Sequence, residues 1–340
     1  MKNKFLFLIS VLMICFLAAC GSDKTDEETS ANVDGIQTLT IKISHVVAEK
    51  TPKHLGALAM KEYIEKESDG KIKVQVYPNS SLFGDKDEYQ NLVANNVQFI
   101  LPDTSKLVAN DPGFNIVSMP FLFSTDEEAM AFWDGEKGQE IFKRLEKDGV
   151  LGLRMWPNGA KHITNNAHPI TKPEDLKGLK IRTQGGHLQE EIYSALGAGS
   201  TSIPFGELYT ALQQGTVDGQ DNTFSNIESK KFDEVQKYTT DLGLNRVDYP
   251  LLTNTTFWNN LNEETKAIIE KGIDEGTKTA RDSAAKLNEE SLEKIVERGH
   301  TKIIELTDEE IDAFKVALKP VYEKWAKEIG TDIVEAAENQ

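Results

Sequence analysis

The sequence predicts an α/β protein of two lobes, with one helix long enough to lie across both. Three observations predict it. Segments of apolar alternation take turns with segments of helical periodicity along most of the chain, as strands and helices sharing a sheet-based core do. From about Asn262 to Arg298 there is no proline, and charges interleave at helical spacing with Ile268, Ile269, Ile273, Ala280, Ala284, Leu287, Ile295 and Val296. Such a helix spans roughly 55 Å at 1.5 Å per residue, more than the width of a compact lobe of about 150 residues. Two shorter helices with a break near Gly276 are the alternative. Finally, the 340 residues hold only two cysteines, Cys15 and Cys20, so stability rests on buried apolar packing rather than on disulfides.

Residues 1–19 stand apart from this pattern. Lys2 and Lys4 form a basic head, Phe5 to Phe16 run apolar apart from Ser10, and Leu17-Ala18-Ala19-Cys20-Gly21 follows. A charged head, a short apolar run and a small-residue cleavage site make a secretory signal, and the run is too short for a stable membrane span. The cysteine at the cleavage point resembles a bacterial lipobox. That implies a lipidated Cys20 as mature N-terminus and a membrane anchor on the extracytoplasmic face, either the outer surface of a Gram-positive-type cell or the periplasm. An ordinary signal peptide with a chance cysteine is the alternative. Residues 20–37 are polar and acidic without apolar periodicity, and read as the lipidated cysteine plus a disordered tether.

The folded part begins near residue 38. Leu39, Ile41 and Ile43 alternate as a half-buried strand. Thr51-Pro52 opens a helix that Gly70 closes, and Ile72, Val74 and Val76 form a second strand, so a parallel pair with a crossover helix is expected. Helix is predicted over 85–95 and strand over 97–101. Thr125 and Glu128 make a capping box for a helix running to about Lys147, followed by a strand over 150–156. A strand over 179–183, helices over 187–196 and 207–214, each closed by a glycine, and a strand over 249–256 continue the alternation. The long helix comes next, and Thr307 with Glu310 caps a final one.

Charge and missing motifs narrow the function. Loss of Lys2 and Lys4 with the signal leaves 36 basic against 55 acidic residues, a charge of −19. So acidic a surface disfavours nucleic acid and anionic lipid, and confines any anion site to a focused cluster of cations. The sequence contains no HExxH, paired CxxC, EF-hand loop, Walker A, GxGxxG or GxSxG pattern, and its six histidines lack ligand spacing, so neither a metal nor a cofactor is expected.

Residues 158–222 are the most informative: NGAKHITNN, then PEDLKGLKIRTQGG, then IPFGELYTALQQGTVDGQDN. In the strand Leu179-Lys180-Ile181-Arg182 the apolar and basic residues fall on opposite faces. Arg182 ends the strand, and in open α/β sheets ligands bind beyond the carboxyl ends of strands. An arginine there can hold a carboxylate through two parallel hydrogen bonds. A solvated arginine on an exposed face is the alternative.

The phrases DLKGLKIR, PFGELYTALQQG and VDGQDN resemble the characteristic run of the solute-binding proteins of tripartite ATP-independent periplasmic (TRAP) transporters, the DctP-like family. Weaker similarity extends from about Leu39 to the C-terminus. The resemblance implies a periplasmic-binding-protein-like fold with a hinge, mixed sheets and one helix spanning both lobes. It places lobe I at 38–158 plus about 248–287, and lobe II at 159–247 plus about 288–340. It implies a monomeric receptor and not an enzyme, which captures a small carboxylate by cleft closure and hands it to the large and small membrane subunits of a permease. A C4-dicarboxylate such as succinate, malate or fumarate is the preferred ligand. A monocarboxylate, hydroxy acid, sugar acid or aromatic acid, or a role as ligand-sensing partner of a signalling receptor, are alternatives.

The resemblance also implies roles by position. Arg182 is the carboxylate clamp, Phe205 a pocket wall and Asn222 a ligand hydrogen-bonding group. Lys161 stands where many members carry a second arginine, and Gln184 is a second polar contact. Trp156, Asp103 and His45 fall near cleft-lining positions. Asp103 and Asp221 sit oddly in an anion site, and are expected to orient cations or meet ligand hydroxyls.

Overall fold

The computed structural model describes residues 35–340. The expected signal, Cys20 and most of the tether lie outside the described residues. β1 (Leu39–Ser44), α1 (Pro52–Glu67) and β2 (Ile72–Tyr77) form the predicted strand–helix–strand unit, with β1 and β2 parallel from Leu39–Ile72 to Ser44–Tyr77. Pro52 starts α1, although the Thr51 hydroxyl donates back to the Ala48 carbonyl and does not cap the helix. α2 (Glu88–Val93) and β3 (Phe99–Ile100) are shorter than their sequence patterns suggest. The helix expected to run from Thr125 to about Lys147 is two helices, α3 (Asp126–Asp134) and α4 (Glu136–Lys143). The Thr125–Glu128 capping box is present, but Gly135 is extended, and a Cβ on Gly138 would sit 2.5 Å from the Trp133 Cα. The corner is too tight for a continuous helix.

β4 (Val150–Ala160) leads, after the single residue Lys161, into β5 (His162–Asn165). Then come β6 (Lys180–Thr183), α5 (His187–Ala195), β7 (Gly199–Ser202), α6 (Leu208–Gln213), β8 (Gly219–Asn222), α7 (Phe224–Ser229) and β9 (Tyr238–Asp241). β10 (Arg246–Asn254), α8 (Thr255–Asn259), α9 (Glu263–Arg298), β11 (Lys302–Glu305), α10 (Asp308–Ile329) and α11 (Thr331–Glu338) complete the chain. The strands form two mixed sheets, ordered β2-β1-β3-β10-β4 and β11-β9-β5-β8-β6-β7.

The chain therefore crosses between sheets at Lys161 and again at 242–245, and the two crossings are bonded to each other. The Lys161 N–H donates to the Asn245 carbonyl at 2.7 Å, and the Leu244 N–H to the Lys161 carbonyl at 3.1 Å. Short paired crossings of this kind are where a hinge bends.

α9 is one unbroken helix. Asn262 caps it through the Thr265 N–H, and Gly299, at φ +64°, ends it. Gly272 and Gly276 are contact points with α1, not breaks. A Cβ on Gly272 would lie 2.4 Å from Ile64 Cγ1, and one on Gly276 2.7 Å from the Gly56 carbonyl. Farther along, α9 packs on α7, which follows a strand of the second sheet, so the helix runs from one lobe to the other. Residues 35–37 are not part of a loose tether. The Gln37 N–H donates to Thr265 Oγ1, and its side-chain carbonyl accepts from the Asn262 N–H, pinning the chain to the start of α9. α10 carries the predicted Thr307–Glu310 capping box, but α11 follows it and packs on α3 and on the 3-10 segment Pro112–Ser118.

Candidate functional site

A narrow pocket, with a cavity volume of about 20 Å³, lies where strand ends of the two sheets meet. From the first sheet come Val46 and Val47, just past β1, and Asp103 and Lys106, just past β3. The second sheet supplies Arg182 and Gln184 at the end of β6, and Asn222 at the end of β8. All four are parallel strands presenting their carboxyl ends, the position at which open α/β sheets hold ligands. Asp85, Phe205, Asn226, Val247 and Tyr249 complete the wall.

Arg182 is fully buried. Its Nε and Nη2 both donate to the Ile203 carbonyl, at 2.9 and 2.8 Å, while the third nitrogen, Nη1, is buried without a partner. Burial pulls the guanidinium pKa down, against the opposing pull of Asp221, Asp85 and Asp103. The Ile203 carbonyl fixes the fork, leaving one donor edge for an anion. The solvated alternative for Arg182 does not hold. Its strand partner Lys180 is the exposed one.

Four further expected residues line the pocket. Phe205 forms wall, with its ring centroid 5.9 Å from the Arg182 guanidinium carbon. Asn222 Oδ1 accepts from the Thr223 N–H and from Asn226 Nδ2, and its own Nδ2 donates to Gln220. Gln184 lines the pocket and donates to the Asp221 carbonyl at 3.3 Å. Asp103 also lines it, but its Oδ1 accepts from the Ser105 N–H as a 3-10 helix cap.

The other three expected residues are not in the pocket wall. Lys161 is fully buried, with Nζ 2.8 Å from Asp221 Oδ2 and 3.3 Å from Gln184 Oε1. Its charge is matched inside the protein at the crossing, and it is not among the residues that line the pocket. Asp221 also accepts from the Tyr193 hydroxyl at 2.8 Å. Trp156 is a core residue, donating from Nε1 to Thr277 Oγ1 on α9 and lying within 3 Å of where a Gly56 Cβ would be. His45 precedes the lining valines but is itself enclosed, its Nε2 3.0 Å from His54 Nδ1. Burial, then the charge of Lys53, holds the His45 pKa well below the ordinary value.

Sequence reasoning missed Asp85, Lys106, Asn226 and Tyr249. Asp85 and Lys106 tie the two sides of the pocket together. Lys106 Nζ donates to the Gln184 carbonyl at 2.5 Å and lies 3.3 Å from Asp85 Oδ2, which also accepts from the Phe205 N–H at 3.3 Å. Lys53 was missed as well. It is fully buried behind Tyr249, with Nζ 3.3 Å from the ring centroid and donating to the Leu101 carbonyl. Burial lowers its pKa to about 7, despite the nearby carboxylates of Glu88, Asp103 and Asp85, and burial raises that of Glu88 to about 8.

A buried, half-satisfied arginine at the strand ends of a two-lobed α/β protein is a receptor's arrangement, and the comparisons with known proteins agree. The model of the bacterial extracellular solute-binding protein family 7, DctP, matches residues 43–328. The chain belongs to this family. It is 37% identical over 303 residues to the C4-dicarboxylate-binding periplasmic protein DctP of Rhodobacter capsulatus, covering 88% of this chain and 90% of that one. Among solved structures, it resembles a TRAP periplasmic solute-binding protein of Shewanella oneidensis with bound succinate, at 36% identity and a TM-score of 0.86, covering 88% and 98% of the two chains. A TRAP solute-binding protein of Pseudomonas aeruginosa with bound L-malate is similar at 35% identity and a TM-score of 0.82, covering 84% and 99%. Family 7 membership makes this chain an extracytoplasmic solute receptor of TRAP type.

Proposed function

We propose that this chain captures a C4-dicarboxylate in the pocket around Arg182 and delivers it to a membrane permease of one large and one small subunit, without chemical change to the ligand. The observation that carries the proposal is Arg182 Nη1, a buried cationic donor with no partner in a pocket wall. Such a group gains a charge-assisted hydrogen bond when a carboxylate enters. The relatives that bind C4-dicarboxylates support the same choice.

In this reading the lobes move about the crossings at Lys161 and 242–245. Lobe I holds the first sheet and lobe II the second, with α11 riding on lobe I through α3. Closure brings Lys106 and Asp85 of one side onto Gln184 and Phe205 of the other, and excludes water from the anion. We further propose that Cys20 anchors the chain to the membrane and that the receptor acts as a monomer. Replacing Cys20 by alanine is expected to release the protein from the membrane fraction, and full retention would sink the anchor.

Calorimetric titration of the purified protein with succinate, fumarate and L-malate, beside propanoate, lactate and galactonate, tests the ligand class. Binding of at least one C4-dicarboxylate more tightly than every monocarboxylate is expected. The reverse order would instead favour a monocarboxylate receptor, a reading to which the internal neutralisation of Lys161 by Asp221 lends some weight.

A further inference from the structure

We infer that the pocket selects a hydroxyl-bearing acid over its deoxy counterpart, and that Asp85 is the specificity-determining residue that accepts the ligand hydroxyl. This rests on the reading of the pocket as a carboxylate site. Asp85 lines the pocket and is 8% exposed. Its Oδ2 is used twice, by the Phe205 N–H and by Lys106. Its Oδ1 is buried and has no partner. An anionic oxygen hidden from water without a donor is costly, more so than a neutral group in the same state.

The same wall holds a second orphan acceptor, Asn226 Oδ1, whose amide nitrogen is already given to Asn222 and Tyr249. The pocket thus pairs a free donor edge, on Arg182, with free acceptors. Ionised succinate or fumarate offers acceptors alone. It satisfies Arg182 and leaves Asp85 Oδ1 facing more negative charge. A 2-hydroxy acid offers a carboxylate for Arg182 and an adjacent O–H for Asp85. Sites that hydrogen-bond a substrate hydroxyl reject analogues lacking it far more strongly than apolar pockets reject a missing methylene. Asp85 also has a positioning role, since it holds Lys106, and that role alone would act on every anion equally. The two roles therefore differ in what they do to a ratio of affinities.

The test is the ratio of dissociation constants for matched pairs, succinate against L-malate and propanoate against lactate, measured calorimetrically for the wild type, Asp85→Asn and Asp85→Ala. The hydroxy acid of a pair is expected to bind about ten- to a hundred-fold more tightly than its partner, the range of one hydrogen bond to a charged group. Asp85→Asn and Asp85→Ala are expected to bring that ratio near one, on top of whatever change the loss of the Lys106 contact makes to both members of a pair alike. Equal binding of succinate and L-malate by the wild type overturns the inference and leaves the carboxylate site standing. Equal losses for both members of a pair in the variants also overturn it, reducing Asp85 to a support for Lys106. Preference for lactate and galactonate over both dicarboxylates sinks the dicarboxylate reading but supports the hydroxyl inference. No binding of any acid overturns both.

Discussion

Replacing Arg182 by methionine is expected to remove ligand binding while leaving the fold nearly as stable as before. In the free protein the guanidinium is a buried charge whose pKa is lowered by burial, so its presence opposes folding. Methionine keeps much of the volume and removes a desolvation cost of several kcal/mol. Against this, the Ile203 carbonyl loses both its donors, at about 1–3 kcal/mol. The two effects oppose, so the melting temperature without ligand is expected to stay within about 2 °C of wild type, or to rise. Ligand at a hundred times the wild-type Kd contributes about 2.7 kcal/mol. With an unfolding entropy of about 2.1 cal/mol/K per residue, a folded part of roughly 300 residues gives a shift near 4 °C. Truncating one partner of a buried charge pair costs about 2–5 kcal/mol, or roughly 30- to 5,000-fold in Kd. At the same ligand concentration the remaining shift is then about 1.5 °C or less. Scanning calorimetry with and without L-malate reads both quantities. A variant that melts more than about 5 °C early yet keeps the full ligand shift would show that Arg182 is a structural residue and refute the clamp.

Other perturbations separate the remaining roles. Gly276→Ala is expected to destabilise by about 1–3 kcal/mol in urea unfolding, because the added Cβ meets the Gly56 carbonyl, and a gain of about 1 kcal/mol from helix propensity would contradict the close α1–α9 contact. Lys161→Met is expected to cost about 3–5 kcal/mol by leaving Asp221 buried and uncompensated, and Lys161→Met with Asp221→Asn to regain most of it with ligand binding intact. Loss of binding in that refolded double variant would return Lys161 to the ligand. Binding a dianion is expected to raise the Lys53 pKa from its free value of about 7, so protons are taken up near pH 8. The sign follows from linkage: affinity is full below pH 7 and falls as pH climbs toward the raised, bound-state value. Titration in buffers of different ionisation enthalpy should show this uptake, and Lys53→Met should reduce it to the share of Glu88, whose pKa of about 8 falls in the same window.

The fold was legible where period and punctuation agreed. β1, α1 and β2 have clean alternation, a proline start and a glycine stop, and α9 has 36 residues of helical spacing with an asparagine cap. The helix over α3 and α4 misled because its apolar spacing continues through Gly135, while the break comes from the tertiary contact at Gly138. β8 was invisible, since Gly-Gln-Asp-Asn has no apolar residue to alternate and is buried on both faces by polar networks. Of the residues expected at the site, Arg182, Asn222, Phe205, Gln184 and Asp103 line the pocket; Arg182 was readable as a cation at a strand end, and the others were expected from the family resemblance. The pairing of Lys161 was not legible, because charge type is readable in a sequence and charge partner is not: Asp221 lies 60 residues away and meets it only when β5 pairs with β8. Asp85 lies in the turn before α2 and Lys106 ends the 3-10 segment Thr104–Lys106, and nothing in the sequence links the two. A signal existed only in combination, as two opposite charges flanking a first-sheet strand whose end faces the pocket.

The distribution of charge across the cleft explains how capture and closure can be one event. Arg182 belongs to β6 of the second sheet, and Lys106 follows β3 of the first. Across the pocket Lys106 meets the Gln184 carbonyl, and Asp85 meets the Phe205 N–H. Both are polar contacts whose groups an open state gives to water, so these two add little to closure without ligand. An anion changes this balance, because it can lie against Arg182 and Lys106 together only when the sides are close. Its differential affinity for the closed state is what shifts the equilibrium, and a ligand contacting Arg182 alone would bind both states alike and shift nothing. Lys161 is then placed to do the opposite kind of work. Its ion pair with Asp221 stays within the second sheet, at the crossing itself, so it holds the pivot fixed while the pocket's own charges decide whether the lobes meet.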